Sequence, residues 1–213
     1  MRATPSTPSS REPSVKLLPY GPRAVLVEFE SLDQVMAAAT TWRHAALPGV
    51  IDVVPAARTV LVTHDGSLDT DVLREPTEAA PPRGDTVSID VVYDGADLDD
   101  VAAATGVSVD DVVRLHSGAE YTVAFCGFMP GFAYIVGLPD ALHLSRRSTP
   151  RTRVPAGAVA IAAEFSGIYP RESPGGWHLL GRTDASLWDE ARDPPALLTP
   201  GATVRFRPVE AGP

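Results

Sequence analysis

The chain has 213 residues, enough for one large or two small domains, and its formal net charge is −9. Its hydrophobic content of 44% and charged content of 21% are typical of a protein with a packed core. The acidic balance argues against nonspecific nucleic-acid binding, which depends on Lys and Arg at the phosphates. A single cysteine, Cys126, excludes an internal disulfide framework and a cysteine-based zinc cluster.

The chain shows no membrane or export signal. No apolar run approaches the roughly 18 residues that span a bilayer. Residues 1–15 have no apolar centre of the kind found in a signal peptide. We therefore expect a cytoplasmic protein that does not contact a membrane.

The first part of the chain predicts a small α/β domain behind a disordered tail. Residues 1–14 are rich in Pro, Ser and Thr and cannot form a core. Ser31 and Gln34 form a capping box for a helix. The predicted elements are a strand at 24–29, a helix from 32 to about 47, a hairpin of 50–54 with 59–63, and a short helix at 68–78. We expect this domain over residues 15–80 and a linker over 81–85.

Residues 97–116 predict two short helices that hinge at residues 105–108. Their spacing resembles a helix-turn-helix motif. Asp110 and Asp111, however, would stand at the end of the second helix that should face phosphates. Carboxylates at that place instead suit the positive end of the helix dipole. We therefore interpret the pair as helices packed within a β domain, with no nucleic-acid partner.

Residues 121–139, here called the central stretch, begin as a strand at 121–126 and continue as an irregular loop. Phe128, Phe132 and Tyr134 project aromatic groups from this loop, between glycines and prolines. Loops are usually polar because they run over the surface. An aromatic loop of this kind either fills a core or lines a pocket, and both interpretations stay open.

The rest of the chain predicts short strands separated by Gly and Pro, a pattern typical of a closed β barrel. The expected strands are 142–144, 158–163, 177–181 and 204–208. The predicted fold class is therefore α+β, with the small N-terminal α/β domain followed by a β-barrel domain over residues 86–213.

Arginines concentrate between residues 142 and 182, where six arginines stand against two acids. Arginine pairs bidentately with carboxylate or phosphate, so the excess indicates an anion site. Arg151 and Arg153 would lie on one side of an extended segment, and Gly175 with Gly176 could offer backbone N–H groups as an anion nest. Two plainer interpretations stay open: arginines that balance acidic neighbours, and a hairpin turn at the glycines.

The central stretch and residues 149–177, here called the second stretch, together resemble one family. The resembling residues are Gly127, Phe128, Pro130, Gly131, Phe132, Tyr134, the PRTRVPAG run at 150–157, GIYP at 167–170 and SPGGW at 173–177. The pattern is similar to the family that contains subunit 1 of allophanate hydrolase, the B-type subunit of bacterial 5-oxoprolinase and the kinase inhibitor KipI. The resemblance covers the carboxyltransferase domain, subdomains C and D, and implies a cyclophilin-like β barrel.

The resemblance implies a non-autonomous subunit of an ATP-dependent enzyme that cleaves an amide or lactam, most closely 5-oxoprolinase. It implies a small carboxylate substrate and a composite site with a larger partner, similar to allophanate hydrolase subunit 2 or to the C-type subunit of 5-oxoprolinase. A LamB-type subunit is a further expected partner. ATP would be used by the assembled complex, since the sole lysine, Lys16, leaves no P-loop here. The alternative is a regulatory protein that inhibits a sensor histidine kinase.

The family pattern places a histidine just before the central stretch, which makes His116 the candidate catalytic residue. A neutral imidazole can bond a carbonyl group or move a proton. The candidate substrate-binding residues are Phe128, Pro130, Gly131, Phe132, Tyr134, Arg151, Arg153, Gly175 and Gly176. The remaining histidines show no metal-ligand spacing, so no metal site is expected.

Overall fold

The structure is a computed structural model that describes residues 15–74 and 84–211. The chain divides into two compact units, Met1–Pro81 and Pro82–Pro213. The expected tail at 1–14 and most of the expected linker lie outside the described residues.

The first unit is a four-stranded antiparallel sheet with one helix. Its elements are β1 (Lys16–Pro19), β2 (Ala24–Glu28), α1 (Leu32–Ala45), β3 (Val50–Pro55), β4 (Thr59–His64) and a 3-10 helix at Thr70–Arg74. The strand order is β1-β2-β4-β3, and every neighbouring pair runs antiparallel. The predicted hairpin is thus confirmed as β3 and β4.

Helix α1 begins at the predicted capping box. The Ser31 hydroxyl accepts from the Gln34 N–H at 3.3 Å, and the Gln34 side chain accepts from the Ser31 N–H at 3.2 Å. The helix ends at Ala45, because Ala46 takes a left-handed φ of 44° that cannot continue it. The prediction of a helix at 68–78 is wrong in type for its described part. That part is a single 3-10 turn whose Leu73 is fully buried.

The second unit is built on a seven-stranded sheet and a separate two-stranded ribbon. Its elements are β5 (Thr86–Val91), α2 (Leu98–Thr105), α3 (Val109–Gly118), β6 (Tyr121–Cys126), β7 (Ala133–Val136), a 3-10 helix at Asp140–Leu142, β8 (Arg151–Val154), β9 (Ala158–Ala162), β10 (Phe165–Ile168), β11 (Ser173–Gly175), β12 (His178–Arg182) and β13 (Thr203–Pro208). The strand order of the sheet is β12-β9-β10-β7-β6-β13-β5, and the ribbon consists of β8 and β11.

The two edges of this sheet meet just beyond β5. The N–H groups of Val92 and Arg182 each donate to the other's carbonyl oxygen at 2.9 Å, which joins the end of β5 to β12. The sheet thereby becomes a nearly closed barrel, and closure removes exposed strand edges. Ile135, Ile161 and Phe206 are among the side chains that fill its buried core. The predicted α+β class and the barrel are confirmed.

Helices α2 and α3 pack on the barrel as predicted. Gly106 ends α2 with φ of 73°, and its N–H donates to Ala102 O at 2.9 Å. Ser108 caps α3 by accepting from the Asp111 N–H at 3.1 Å. Val101 is fully buried and belongs to the barrel core. Within the residues that the structure describes, no helix is long and apolar enough to cross a membrane.

Two predictions about strands are wrong. Residues 142–144 do not form a strand, because the Leu142 N–H donates to Pro139 O at 2.8 Å and the backbone coils into a 3-10 turn. That turn buries Leu142 completely in the core. The loop of the central stretch is also less irregular than expected, since residues 133–136 form strand β7 beside β6.

Candidate functional site

The loop that joins β6 to β7 contains a four-residue turn specified by its sequence. The Phe132 N–H donates to the carbonyl oxygen of Met129 at 3.0 Å. Pro130 stands second in this turn and Gly131 third, with φ of 83°, which are the residues that a type II turn favours. A Cβ on Gly131 would also lie 3.0 Å from the Cβ of Trp188. Glycine at 131 is therefore needed both for the turn and for the packing.

Phe128 projects from this loop into solvent. Its side chain is 61% exposed, and its φ of 70° lies in a region that bulky residues rarely adopt. The Met129 N–H donates to Gly127 O at 2.9 Å, which closes a tight three-residue turn around Phe128. Such strain costs on the order of 1–3 kcal/mol and is concentrated at functional sites. Phe128 is therefore a candidate contact residue.

Phe132 joins the central stretch to the second stretch. Its buried ring lies edge-on to Tyr169 and to Trp177, with ring centroids 5.4 and 5.5 Å apart. Tyr134 contacts Trp177 at a centroid distance of 5.7 Å. Aromatic pairs favour these distances and angles. The two stretches therefore fold against each other, and Phe132 fills the core between them.

Gly175 belongs to the β8–β11 ribbon, where it lies opposite Arg151. A Cβ on Gly175 would come within 2.3 Å of the Tyr169 hydroxyl oxygen, whereas one on Gly176 would meet nothing closer than 3.7 Å. The hairpin-turn interpretation of these glycines is wrong, because Ser173–Gly175 is a strand. Gly175 is required because Tyr169 packs directly against the ribbon, whereas the anion nest stays a prediction.

Arg151 binds a buried acid, Asp97, which stands immediately before helix α2. Its two terminal nitrogens donate to the two carboxylate oxygens of Asp97 at 2.8 and 2.7 Å. Arg147 also donates to Asp97, and so does the Leu179 N–H, at 2.8 Å. The Asp97 side chain is only 1% exposed. Three segments that are distant in sequence, around residues 97, 147–151 and 179, therefore meet at one carboxylate.

The Asp97 carboxylate stays charged despite its burial. Burial alone would raise its pKa, but the hydrogen bonds from Arg151 and the Leu179 N–H, with the charges of Arg151 and Arg147, outweigh that effect and lower the pKa. The hydrogen bond to Asp97 likewise raises the pKa of Arg151. The result is a buried ion pair of fixed geometry.

Arg153 has a different environment from Arg151. Its side chain is 76% exposed and pairs with Glu172 at the surface. Arg151 and Arg153 therefore each have a carboxylate partner. This agrees with the interpretation that the arginines balance acidic neighbours. Their contribution to substrate binding stays a prediction.

His116 lies inside the second unit with no exposed surface. The Ser166 hydroxyl donates its one hydrogen to Ala160 O at 3.4 Å. Its oxygen therefore accepts a hydrogen bond from His116 Nε2 at 3.0 Å. His116 Nδ1 then accepts from the Tyr93 hydroxyl at 2.7 Å. Burial lowers the pKa of His116 to about 3, so the ring is neutral at pH 7. A catalytic role for His116 stays a prediction and would act through Tyr93 or Ser166.

Phe132 contacts both Tyr134 and Tyr169, Tyr169 packs against Gly175, and Gly175 lies opposite Arg151 on the ribbon. The structure therefore connects the predicted site residues among them to one another. Tyr169 was missed as a site residue, although the GIYP motif could have indicated it. The connected region offers aromatic packing and a guanidinium group, which are elements of binding. Among the described residues, no group of three or more His, Cys, Asp or Glu side chains is placed to hold a metal ion.

Comparison with known proteins identifies the family. The family described as "Carboxyltransferase domain, subdomain C and D" matches residues 15–198. The chain belongs to this family. It is 42% identical to the B-type subunit of 5-oxoprolinase from Escherichia coli O157:H7, over 90% of this chain and 95% of that protein. It is 33% identical to the B-type subunit of 5-oxoprolinase from Bacillus subtilis strain 168, over 87% of this chain and 89% of that protein. The resemblance found from the motifs is confirmed.

A solved structure shares the fold of this chain. The crystal structure of TTHA0988 in space group P212121 matches with a TM-score of 0.75 and 36% identity over 89% of this chain. The match covers 40% of the TTHA0988 chain, so this chain spans less than half of that protein's length.

We expect Gly175→Ala to lower the free energy of unfolding by about 1–3 kcal/mol, because the added methyl group collides with the Tyr169 ring. Gly176→Ala is the matched control and should change it little, since its methyl group would make only ordinary van der Waals contacts, the nearest atom being 3.7 Å away. Urea unfolding followed by tryptophan fluorescence measures both. Equal losses in the two variants would contradict the packing of Tyr169 on the ribbon.

Asp97→Asn should lower the free energy of unfolding by about 3–5 kcal/mol, because it leaves two arginines without their buried partner. Asp100→Asn serves as the control. Asp100 is exposed and lies 3.8 Å from Arg147, so its loss should cost less than about 1 kcal/mol. If Asp97→Asn were as stable as Asp100→Asn in urea, the assignment of Asp97 as the joining residue would be wrong.

His116 should make the stability of the chain fall in acid. Its pKa is about 3 when folded and about 6.5 when unfolded, so only the unfolded state takes up a proton as the pH falls below 6.5. Between pH 7 and pH 5 the free energy of unfolding should fall by about 2 kcal/mol more in the wild type than in His116→Gln. Parallel urea titrations of the two proteins measure this difference. Identical pH dependence would show that His116 is not a buried neutral ring.

Proposed function

We propose that this chain is the B-type subunit of a 5-oxoprolinase, which opens the lactam ring of 5-oxoproline to give glutamate with consumption of ATP. The observation that carries the proposal is the similarity to the B-type subunit of 5-oxoprolinase from Escherichia coli, which extends over 90% of this chain and 95% of that protein. Similarity over nearly the whole of both chains supports the same role in the assembly.

We infer that the chain supplies binding surface to a composite site and that a larger subunit completes it. Phe128 supports this inference, because a strained backbone keeps the residue 61% exposed while its ring forms an edge-on aromatic pair with Phe132. An exposed aromatic group of this kind is typical of an interface core. TTHA0988 also supports it. The part similar to this chain covers 40% of the TTHA0988 chain, so more than half of that single chain lies outside the similar part. A LamB-type subunit is the third component that we propose.

The substrate has two features that these residues can recognise. 5-Oxoproline carries a carboxylate and a flat lactam ring. We propose that the ring packs near Phe128 and Pro130, which are both exposed at the loop. Guanidinium groups of the second stretch would attract the carboxylate. The ATP is used by the assembled complex, and its contacts belong to the partner subunits in this proposal.

Reconstitution tests the proposal. We expect the isolated chain to release no glutamate from 5-oxoproline, and co-expression with a larger C-type subunit and a LamB-type subunit to give ATP-dependent glutamate release. Phe128→Ala should lower this activity at least tenfold in the assembly without unfolding the chain. The measurement is glutamate release with and without ATP.

Val209→Ala is the control for loss of an exposed apolar side chain, and its assembly should keep full activity. An assembly of all three subunits that binds together but releases no glutamate would refute the proposal. Inhibition of a histidine kinase by the isolated chain, with no lactam cleavage by the assembly, would instead establish the regulatory alternative.

A further inference from the structure

A cavity of about 530 Å³ opens in the second unit beside the Asp97 ion pair. None of the predicted site residues lines it. Its polar lining residues include Arg146, Arg147, Ser148, Thr149 and His178. Cavities of several hundred Å³ with a few convergent polar groups are the usual form of small-molecule sites.

The wall of this cavity carries excess positive charge. Asp97 is one carboxylate shared by Arg147 and Arg151, so one positive charge of that cluster is left without a buried counterion. Arg146 adds a second positive charge at the lining. The nearest acid to Arg147 other than Asp97 is Asp100, whose carboxylate oxygen lies 3.8 Å away but is largely exposed to water. Water and salt screen such an exposed charge strongly.

Hydrogen-bonding capacity is also left unused at this wall. Arg147 Nε is a buried donor with no hydrogen-bond partner among the described residues. His178 Nε2 lies 2.9 Å from Ser145 O, which can only accept, so Nε2 carries the proton. The other ring nitrogen, Nδ1, is buried and has no hydrogen-bond partner within the described part of the chain either. Buried polar groups are normally satisfied, and these two unpaired atoms belong to side chains that line the cavity, so a ligand that draws the side chains towards it would satisfy both.

We propose that this cavity binds a small carboxylate or phosphate anion, with Arg147 and Arg146 as its main contacts. A ligand that also carries a further polar group would pair with His178 Nδ1 after a small rotation of the ring. Asp97 is a positioning residue, because its carboxylate holds the Arg147 side chain at the cavity wall. The natural ligand rests on the proposed function: ATP offers phosphate, and a 5-oxoproline molecule bound here instead of beside Phe128 offers a carboxylate and a lactam N–H.

Calorimetric titration of the full-length chain alone tests the site without the need for turnover. The probes are 5-oxoproline, inorganic phosphate and 2-pyrrolidinone, which has the same lactam ring without the carboxylate. We expect 5-oxoproline or phosphate to bind and 2-pyrrolidinone not to bind. Binding of 5-oxoproline alone assigns the site to a carboxylate, and tighter binding of phosphate assigns it to a phosphate group.

Arg146→Gln and Arg147→Gln should each weaken anion binding at least tenfold, and Arg146→Gln keeps the test valid if loss of Arg147 unfolds the chain. Arg114→Gln is the control, since Arg114 is an exposed arginine paired with Asp111 on α3. Absence of binding by both anions at millimolar concentration, or equal binding by Arg146→Gln and wild type, would overturn the site. Lactam cleavage by the assembly without anion binding here would refute this site alone, whereas anion binding without cleavage would refute the proposed function alone.

Discussion

The buried carboxylate of Asp97 determines where the functional segments of the second unit lie. It holds Arg151 of β8 in a bidentate pair, and β8 in turn pairs with β11. Gly175 of β11 leaves room for Tyr169, whose ring packs on Phe132 of the central stretch. The Asp97 ion pair thus fixes the ribbon against which Tyr169 packs, and the contacts of Phe132 and Tyr134 with Trp177 complete the packing of the two glycine-rich stretches. Removal of one partner from such a pair leaves an unpaired charge in the interior, which is far more costly than the loss of a surface ion pair.

This arrangement explains how one chain can provide binding groups for a reaction that it does not complete. The aromatic cluster fixes the base of the loop, and Phe128 is held outside at the expense of backbone strain. The arginines near Asp97 are fixed by hydrogen bonds, so little conformational entropy remains to be lost when an anion binds. Membership of the carboxyltransferase C and D family, with close similarity to B-type subunits of 5-oxoprolinase, agrees with such a role in an assembly.

Local sequence signals predicted much of the fold. The capping box at Ser31 and the hinge at Gly106 depend on residues only three or four positions apart, so they can be read directly from the chain. The long-range contacts of the site could not be read in this way. Asp97 and Arg151 are 54 residues apart, and nothing in the helix that follows Asp97 indicates that its carboxylate turns inward. The motif around His116 likewise gave no sign that packing would bury the ring completely.

A crystal structure of the assembled enzyme with a non-reactive 5-oxoproline analogue would show whether these residues form part of the site. We expect the analogue's carboxylate to lie within hydrogen-bond distance of an arginine held by Asp97, and the larger subunit to cover Phe128. An analogue bound entirely by other subunits, with Phe128 still in solvent, would contradict this expectation.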